Sequence, residues 1–297
     1  MQEPVFTGTC TALVTPFDEI GAIRYSALDA LIEEQIDAGV DAVCVCGTTG
    51  EGATLSTDEH KTLVQHCVRT VNHRVKVIAG SGSNNTATAV TLSQNAQDAG
   101  ADALLIVTPY YNKTSQAGLI RHYTYIADRV SLPIILYNVP SRTGVSFTAE
   151  TYQILARHPH IRGVKEASGS LSLLTHTRLL CPEEFTVWSG NDDQVVPMMA
   201  LGAQGVISAA ANLVPESMCR LAQLCQVGAF QSAAQLQISL TPLIDALFCD
   251  VNPIPVKEAL SMLGKDTGRL RLPLCPLSAA HHKILQDAMG AFPLSVM

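Results

Sequence analysis

No stretch of this 297-residue chain reaches the roughly 18 consecutive apolar residues of a membrane-spanning helix, although 47% of its residues are hydrophobic. Charge is scarce too. Asp, Glu, Lys and Arg together make up 15%, the net charge is −7, and there is no cluster of Lys and Arg to follow a phosphate backbone, so nucleic acid is not an expected partner. The nine cysteines, an odd number, are scattered at 10, 44, 46, 67, 181, 219, 225, 249 and 275, mostly inside apolar runs. Cys44-Val45-Cys46 lacks the two-residue spacing of a zinc knuckle or redox pair, and alternation along a strand places both thiols on one face. Reduced core residues of a cytosolic protein fit this pattern. The nine histidines are dispersed, with His281-His282 and His158-Pro159-His160 the only close groups, so no metal site and no cofactor is expected. Met1-Gln2-Glu3-Pro4 has neither a basic start nor an apolar secretory core, and a cytoplasmic location follows as the expectation.

What the chain does have is a repeating unit. Short β-branched runs alternate with segments of helical period, the pattern of βα units building a parallel sheet. Strands are predicted over 10–16, 42–46, 75–79, 103–108, 133–137, 161–166, 185–189 and 205–209. Between them, helices are predicted over 25–38, 57–71, 86–99, 117–129, 148–156, 171–180 and 195–201. Leu28, Leu31, Ile32 and Ile36 share one face of the first helix, and Ser56 or Thr57 caps the second. Eight such strands point to a closed (β/α)8 TIM barrel over residues 1–228; a doubly wound open sheet repeats the same unit and stays open on period alone. After Pro215 the strands stop. Helical spacing over 217–227, 231–248, 255–263 and 277–289, with a loop over 264–276, predicts a C-terminal helical segment, set at 229–297.

In a barrel of this kind the reacting groups lie at the carboxyl ends of the strands. One lysine falls there: Lys165, in Ile161-Arg162-Gly163-Val164-Lys165-Glu166-Ala167-Ser168, ends an apolar strand and faces small residues. Loss of solvent favours the free amine that attacks carbonyls, which makes Lys165 the candidate Schiff-base nucleophile; a strand-end lysine turned to solvent is the plain alternative. Lys61, Lys257, Lys265 and Lys283 fall on helices or connections beyond the mouth, and Lys76 begins its strand at the opposite end. After strand two, Gly47-Thr48-Thr49-Gly50-Glu51 offers backbone N–H groups for a carboxylate, or simply turns into the next helix. Tyr137 closes strand five with its hydroxyl at the mouth, suited to proton transfer or to core packing. Arg142, in the loop that follows, either clamps a carboxylate or is solvated. Asp192 and Asp193, after strand seven, read as helix caps, and an acidic loop there argues against a sugar phosphate.

These residues, with Thr108-Pro109-Tyr110-Tyr111-Asn112 and Asn252-Pro253-Ile254-Pro255-Val256-Lys257, resemble the pyruvate-dependent class I aldolases, the family of dihydrodipicolinate synthases and N-acetylneuraminate lyases. The resemblance covers essentially the whole chain, and Arg142 favours the synthases over the lyases. It implies an enzyme that condenses pyruvate with L-aspartate 4-semialdehyde in the diaminopimelate route to lysine. It also implies that Lys165 forms the imine, that Thr49 and the Thr48 amide hold the pyruvate carboxylate, and that Tyr137, Thr48 and Tyr111 relay protons. Arg142 would clamp the semialdehyde carboxylate, while Gly190 and Ile207 look like backbone contacts. Tyr111 is similar to a residue that enters a partner's site, which implies a homotetramer built as a dimer of dimers. Ala53, His60, Asn84 and Tyr110 match an effector pocket for lysine, but Gly52, Thr57 and Thr88 stand where the family has a serine, a histidine and a glutamate, so weak or absent feedback is expected. The competing readings are another pyruvate aldolase with a different aldehyde, or a catalytically silent barrel that binds a keto acid.

Overall fold

The computed structural model describes residues 3–265 and 267–292. The first two residues read above for a leader, residue 266 of the expected 264–276 loop, and residues 293–297 of the expected helical segment lie outside the described residues. The eight strands are β1 (Gly8–Ala12), β2 (Ala42–Val45), β3 (Lys76–Gly80), β4 (Ala103–Val107), β5 (Ile134–Asn138), β6 (Ile161–Glu166), β7 (Thr186–Ser189) and β8 (Gly205–Ser208). They pair in chain order, all parallel, and β1 closes on β8, so the open-sheet alternative is excluded and the fold is the expected (β/α)8 barrel.

Helices cover the outside: α1 (Tyr25–Asp37), α2 (Thr57–Val71), α3 (Thr86–Asp98), α4 (Gln116–Ala127), a single turn α5 (Pro140–Thr143), α6 (Ala149–Leu155), α7 (Leu171–Leu180), α8 (Val195–Ala200) and α9 (Pro215–Gln226). Three more follow as the C-terminal segment: α10 (Phe230–Leu247), α11 (Ile254–Met262) and α12 (Ala279–Ala291). Their starts have local causes. Ser56 caps α2 in a reciprocal box with Glu59, and the side chains of Ser115, Thr148, Ser170 and Ser278 accept from backbone N–H groups in the first turns of α4, α6, α7 and α12. No helix of the described residues is long and apolar enough to cross a membrane.

Two apolar layers result from strand alternation. The inner one fills the barrel with Cys10, Ala42, Cys44, Ile78, Leu105, Ile135 and Trp188, and the outer one joins the strands to the helices. Strand β6 departs from simple alternation: Ile134 pairs with Ile161, but Ile135 pairs with Gly163, leaving Arg162 as an extra residue. Ile161 and Val164 therefore both face the outer layer. The bulge turns Gly163 and Lys165 inward. Gly163 fits there because a Cβ would come within 2.0 Å of the Thr186 carbonyl oxygen.

Several expectations need correction. The first strand runs over 8–12 rather than 10–16, since residues 8–11 complete the ladder to β8, whereas Thr15 turns its carbonyl to Lys257 and Pro16 has no N–H for a ladder. Cys44 and Cys46 do not share a face: β2 ends at Val45, and Cys46, with φ 57°, swings into the outer layer while Cys44 stays inside. Cys275 is exposed rather than buried in a core, although all nine cysteines are free.

His122 on α4 is buried, bound through Nδ1 to the Thr86 hydroxyl at 2.9 Å, and burial pushes its pKa down to about 4. Unfolding restores a value near the ordinary 6.5. As the pH falls through this window the unfolded chain takes up a proton that the folded chain refuses, so stability must fall between about pH 6.5 and 4. We expect His122→Leu to make that decline shallower, as read from urea denaturation at about pH 7 and about pH 4.5; an unchanged slope would assign the acid sensitivity elsewhere.

Candidate active site

The carboxyl ends of the strands surround a cavity of about 180 Å³ lined by Lys165, Tyr137, Thr48, Thr49, Arg142 and Gly190, with Ile207 at its side. Lys165 is 7% exposed, and its Nζ sits 4.6 Å from the centroid of the Tyr137 ring. The register fixes this neighbourhood, since Tyr137, Lys165 and Trp188 are direct partners across β5, β6 and β7. The solvent-facing alternative for Lys165 is thereby excluded. Gly190 brings main chain close to the lysine: a Cβ there would lie 2.7 Å from the Ala167 Cβ and 3.2 Å from the Lys165 Cε.

Two thiols also face the barrel interior, Cys10 and Cys44. Burial raises both, Cys44 to about 11, so both stay protonated near neutral pH despite the pull of Lys165. A protonated thiol is a poor nucleophile, so neither cysteine is poised to attack a carbonyl.

The Thr48-Thr49 loop is held from the C-terminal segment. Glu51, with φ 52°, buries its carboxylate against Lys257 Nζ at 2.8 Å, and its second oxygen accepts from the Arg271 N–H at 2.9 Å. The same Nζ donates to the carbonyls of Thr15 at 3.0 Å and Arg269 at 2.6 Å. Lys257 is therefore not remote from the mouth, as its place on a late helix implied; it is packed beneath the loop. Burial lowers its pKa, and the Glu51 charge opposes the shift. The Asn252 side chain donates from Nδ2 to Thr49 Oγ1 at 2.9 Å, and its carbonyl accepts from Arg142 Nη2 at 3.2 Å. Arg142 itself stands on α5, a turn begun by Pro140 and ended by Gly144 at φ 70°, where a loop was expected.

A second cavity, of about 450 Å³, shares Thr48, Tyr137, Arg142 and Asn252 with the first. It gathers Gly52, Ala53, Thr57, His60, Thr88 and Tyr110. Asn84 does not line it and instead accepts through its carbonyl from Asn112 Nδ2 at 2.9 Å. His60 binds the Gly80 carbonyl through Nε2 at 2.8 Å, and burial lowers its pKa, so the ring is neutral. Tyr111 lines neither cavity; it is 92% exposed, with φ 69°.

A match to the dihydrodipicolinate synthetase family model extends over residues 5–291. The chain belongs to that family. It is 50% identical over 288 residues to a 4-hydroxy-tetrahydrodipicolinate synthase of an Exiguobacterium strain, covering 97% of this chain and 98% of the relative. Among solved structures, the dihydrodipicolinate synthase of Aquifex aeolicus superposes with a TM-score of 0.95 at 41% identity, over 98% of this chain and 99% of that one. The Acinetobacter baumannii enzyme, solved with pyruvate, gives 0.93 at 40% identity over 96% and 98%.

Family membership does not by itself assign the supporting groups. Asp192 is not a cap for the helix after it. Its Oδ2 accepts from the N–H groups of Ala209 and Ala210, both at 3.1 Å, and burial raises its pKa against those bonds and the pull of Lys165. It thus fixes the turn after β8, 17 and 18 residues on, a contact that local sequence cannot announce. Asn252 and Lys257 were visible only as a motif at a helix start, since their partners lie 203 and 206 residues away.

Breaking a buried ion pair leaves an uncompensated charge, at a cost of about 3–5 kcal/mol. Lys257→Met should therefore lower the unfolding free energy by that amount in urea, and adding Glu51→Gln should restore a large part of it. A loss below about 1 kcal/mol for the single variant would show that the pair does not hold the loop.

Proposed function

We propose that the chain condenses pyruvate with L-aspartate 4-semialdehyde, the 4-hydroxy-tetrahydrodipicolinate synthase reaction of lysine biosynthesis, through an imine on Lys165. The observation that carries this reading is an amine buried at a barrel mouth, with Nζ 4.6 Å from the Tyr137 ring centroid, in a cavity of about 180 Å³ that also holds Thr48, Thr49 and Arg142. So small a space suits a three-carbon keto acid.

The chemistry then runs in four steps. The Lys165 amine attacks the C2 carbonyl of pyruvate, and water leaves to give the imine. That cation makes the methyl protons acidic, and Tyr137, relaying through Thr48, takes one to give the enamine. The enamine C3 attacks the aldehyde carbon while the relay returns a proton to the new alkoxide. Finally, the amino group of the acceptor attacks C2 and the lysine amine departs, which closes the ring and frees the enzyme. Thr49 and the Thr48 amide hold the pyruvate carboxylate, and Arg142 holds that of the semialdehyde. Gly190 and Ile207 shape the wall.

Tyr111 completes the relay from a second copy of the chain. Its 92% exposure and its absence from both cavities support an assembly in which it enters the partner's site. A homotetramer made of two such dimers, in the cytoplasm, is the assembly we infer.

Reduction with borohydride in the presence of pyruvate should leave a three-carbon adduct on the peptide that carries Lys165, detected by mass spectrometry. Lys165→Ala should abolish the adduct and cut kcat by roughly a thousandfold or more. A missing adduct, or one on another peptide, would exclude the mechanism.

The second cavity carries the regulatory reading. Glu51 is the acidic residue among its described lining residues, and Lys257 already neutralises it. The ammonium of a bound lysine would find no free carboxylate at Thr88. Turnover should therefore be nearly unchanged by millimolar lysine, and inhibition at micromolar lysine would refute this.

A further inference from the structure

Asn252 lies between α10 and α11, is 7% exposed, and lines both cavities. We propose that its side chain is a positioning residue for the donor substrate, setting the Thr49 hydroxyl to donate to the pyruvate carboxylate. The inference rests on the reading of Thr49 as a carboxylate ligand.

A hydroxyl has one proton and two lone pairs. The Asn252 Nδ2–H occupies a lone pair of Thr49 Oγ1 at 2.9 Å, so the hydroxyl proton cannot point at Asn252 and is turned elsewhere. A carboxylate only accepts, and it binds a threonine only when that proton faces it. The amide therefore acts as an orientation device for a group that, left alone, rotates freely.

Stability does not explain the side chain. Its Oδ1 is buried without a hydrogen-bond partner among the described residues, a cost that an apolar side chain would avoid. Nor does the Arg142 contact explain it, because Arg142 donates to the main-chain carbonyl of Asn252, which any residue supplies. Side chain and main chain thus serve different subsites. Substituting the side chain should disturb the donor and spare the acceptor.

The test is a split between the two substrates in Asn252→Ala and in Asn252→Asp, which keeps the shape but replaces the donor with an anion. Asn252→Ala should raise the KM for pyruvate, and the pyruvate concentration for half-maximal borohydride trapping, by about tenfold. The KM for the semialdehyde should stay within about twofold, and the Tm should be unchanged. Asn252→Asp should raise the pyruvate constants further, since its charge repels the carboxylate. Adding Thr49→Val to Asn252→Ala should weaken pyruvate binding less than the two single effects combined. Unchanged pyruvate constants in Asn252→Asp would overturn the proposal, as would a parallel rise of both KM values with a lowered Tm. Failure of the wild-type enzyme to form the adduct would instead overturn the assignment of Lys165, so the two failures are distinct.

Discussion

One extra residue in β6 decides which way Lys165 faces. Had Ile161 to Lys165 alternated without interruption, the outward face of Ile161 would have carried Gly163 and Lys165 outward with it, and the amine would have pointed into the helix layer. The bulge at Arg162 inverts that parity, so Tyr137 opposes Lys165 instead of Val164. It also sends Glu166 outward, where Tyr152 donates to its carboxylate at 2.8 Å and Asn138 at 3.0 and 3.1 Å. The carboxyl group next to Lys165 in sequence is thereby occupied behind the barrel wall, away from the cavity that Lys165 lines.

A strand fixes a side chain through its ladder, but a loop has no ladder of its own. Lys165, Tyr137 and Ile207 belong to strands and need only the register. Thr48, Thr49 and Arg142 sit in connections after β2 and β5, and each of those connections is tied to the C-terminal segment: Glu51 to Lys257, Thr49 and Arg142 to Asn252. Arg271 extends the same tie by donating to the Thr54 and Gly21 carbonyls and the Glu59 carboxylate, which it pulls down to about 2.

Much of this was legible in the chain. Hydrophobic period alone located all eight strands to within a few residues, because each βα unit repeats the same burial requirement. The mouth residues followed from strand polarity, which sends Lys165, Tyr137 and the Thr48-Thr49 loop to one end. What escaped were the features without a local signature. A bulge looks like any other strand residue until its neighbour is known, and the turn at Cys46 depends on a left-handed backbone angle rather than on composition. Asp192 resembles a helix cap in sequence, and it is one in effect, but for a turn on the next strand's far side. Lys257 was set aside because it lies on a late helix, where charge is normally solvated.

The C-terminal segment is therefore tied to the candidate site, since Lys257 on α11 and Asn252 just before it bond the loop after β2. Hydroxyl and guanidinium groups have soft directions, and wherever such groups grip a substrate an error of about 1 Å is enough to cost most of their effect. A barrel alone positions what its strands carry; it leaves the connecting loops free to move. Tethering both connections through one short segment, residues 252–257, means that Thr49 and Arg142 are set by the same piece of backbone and keep their spacing from each other. That shared reference is held by a buried lysine and a buried asparagine, both costly to desolvate, whose partners lie on the loop after β2.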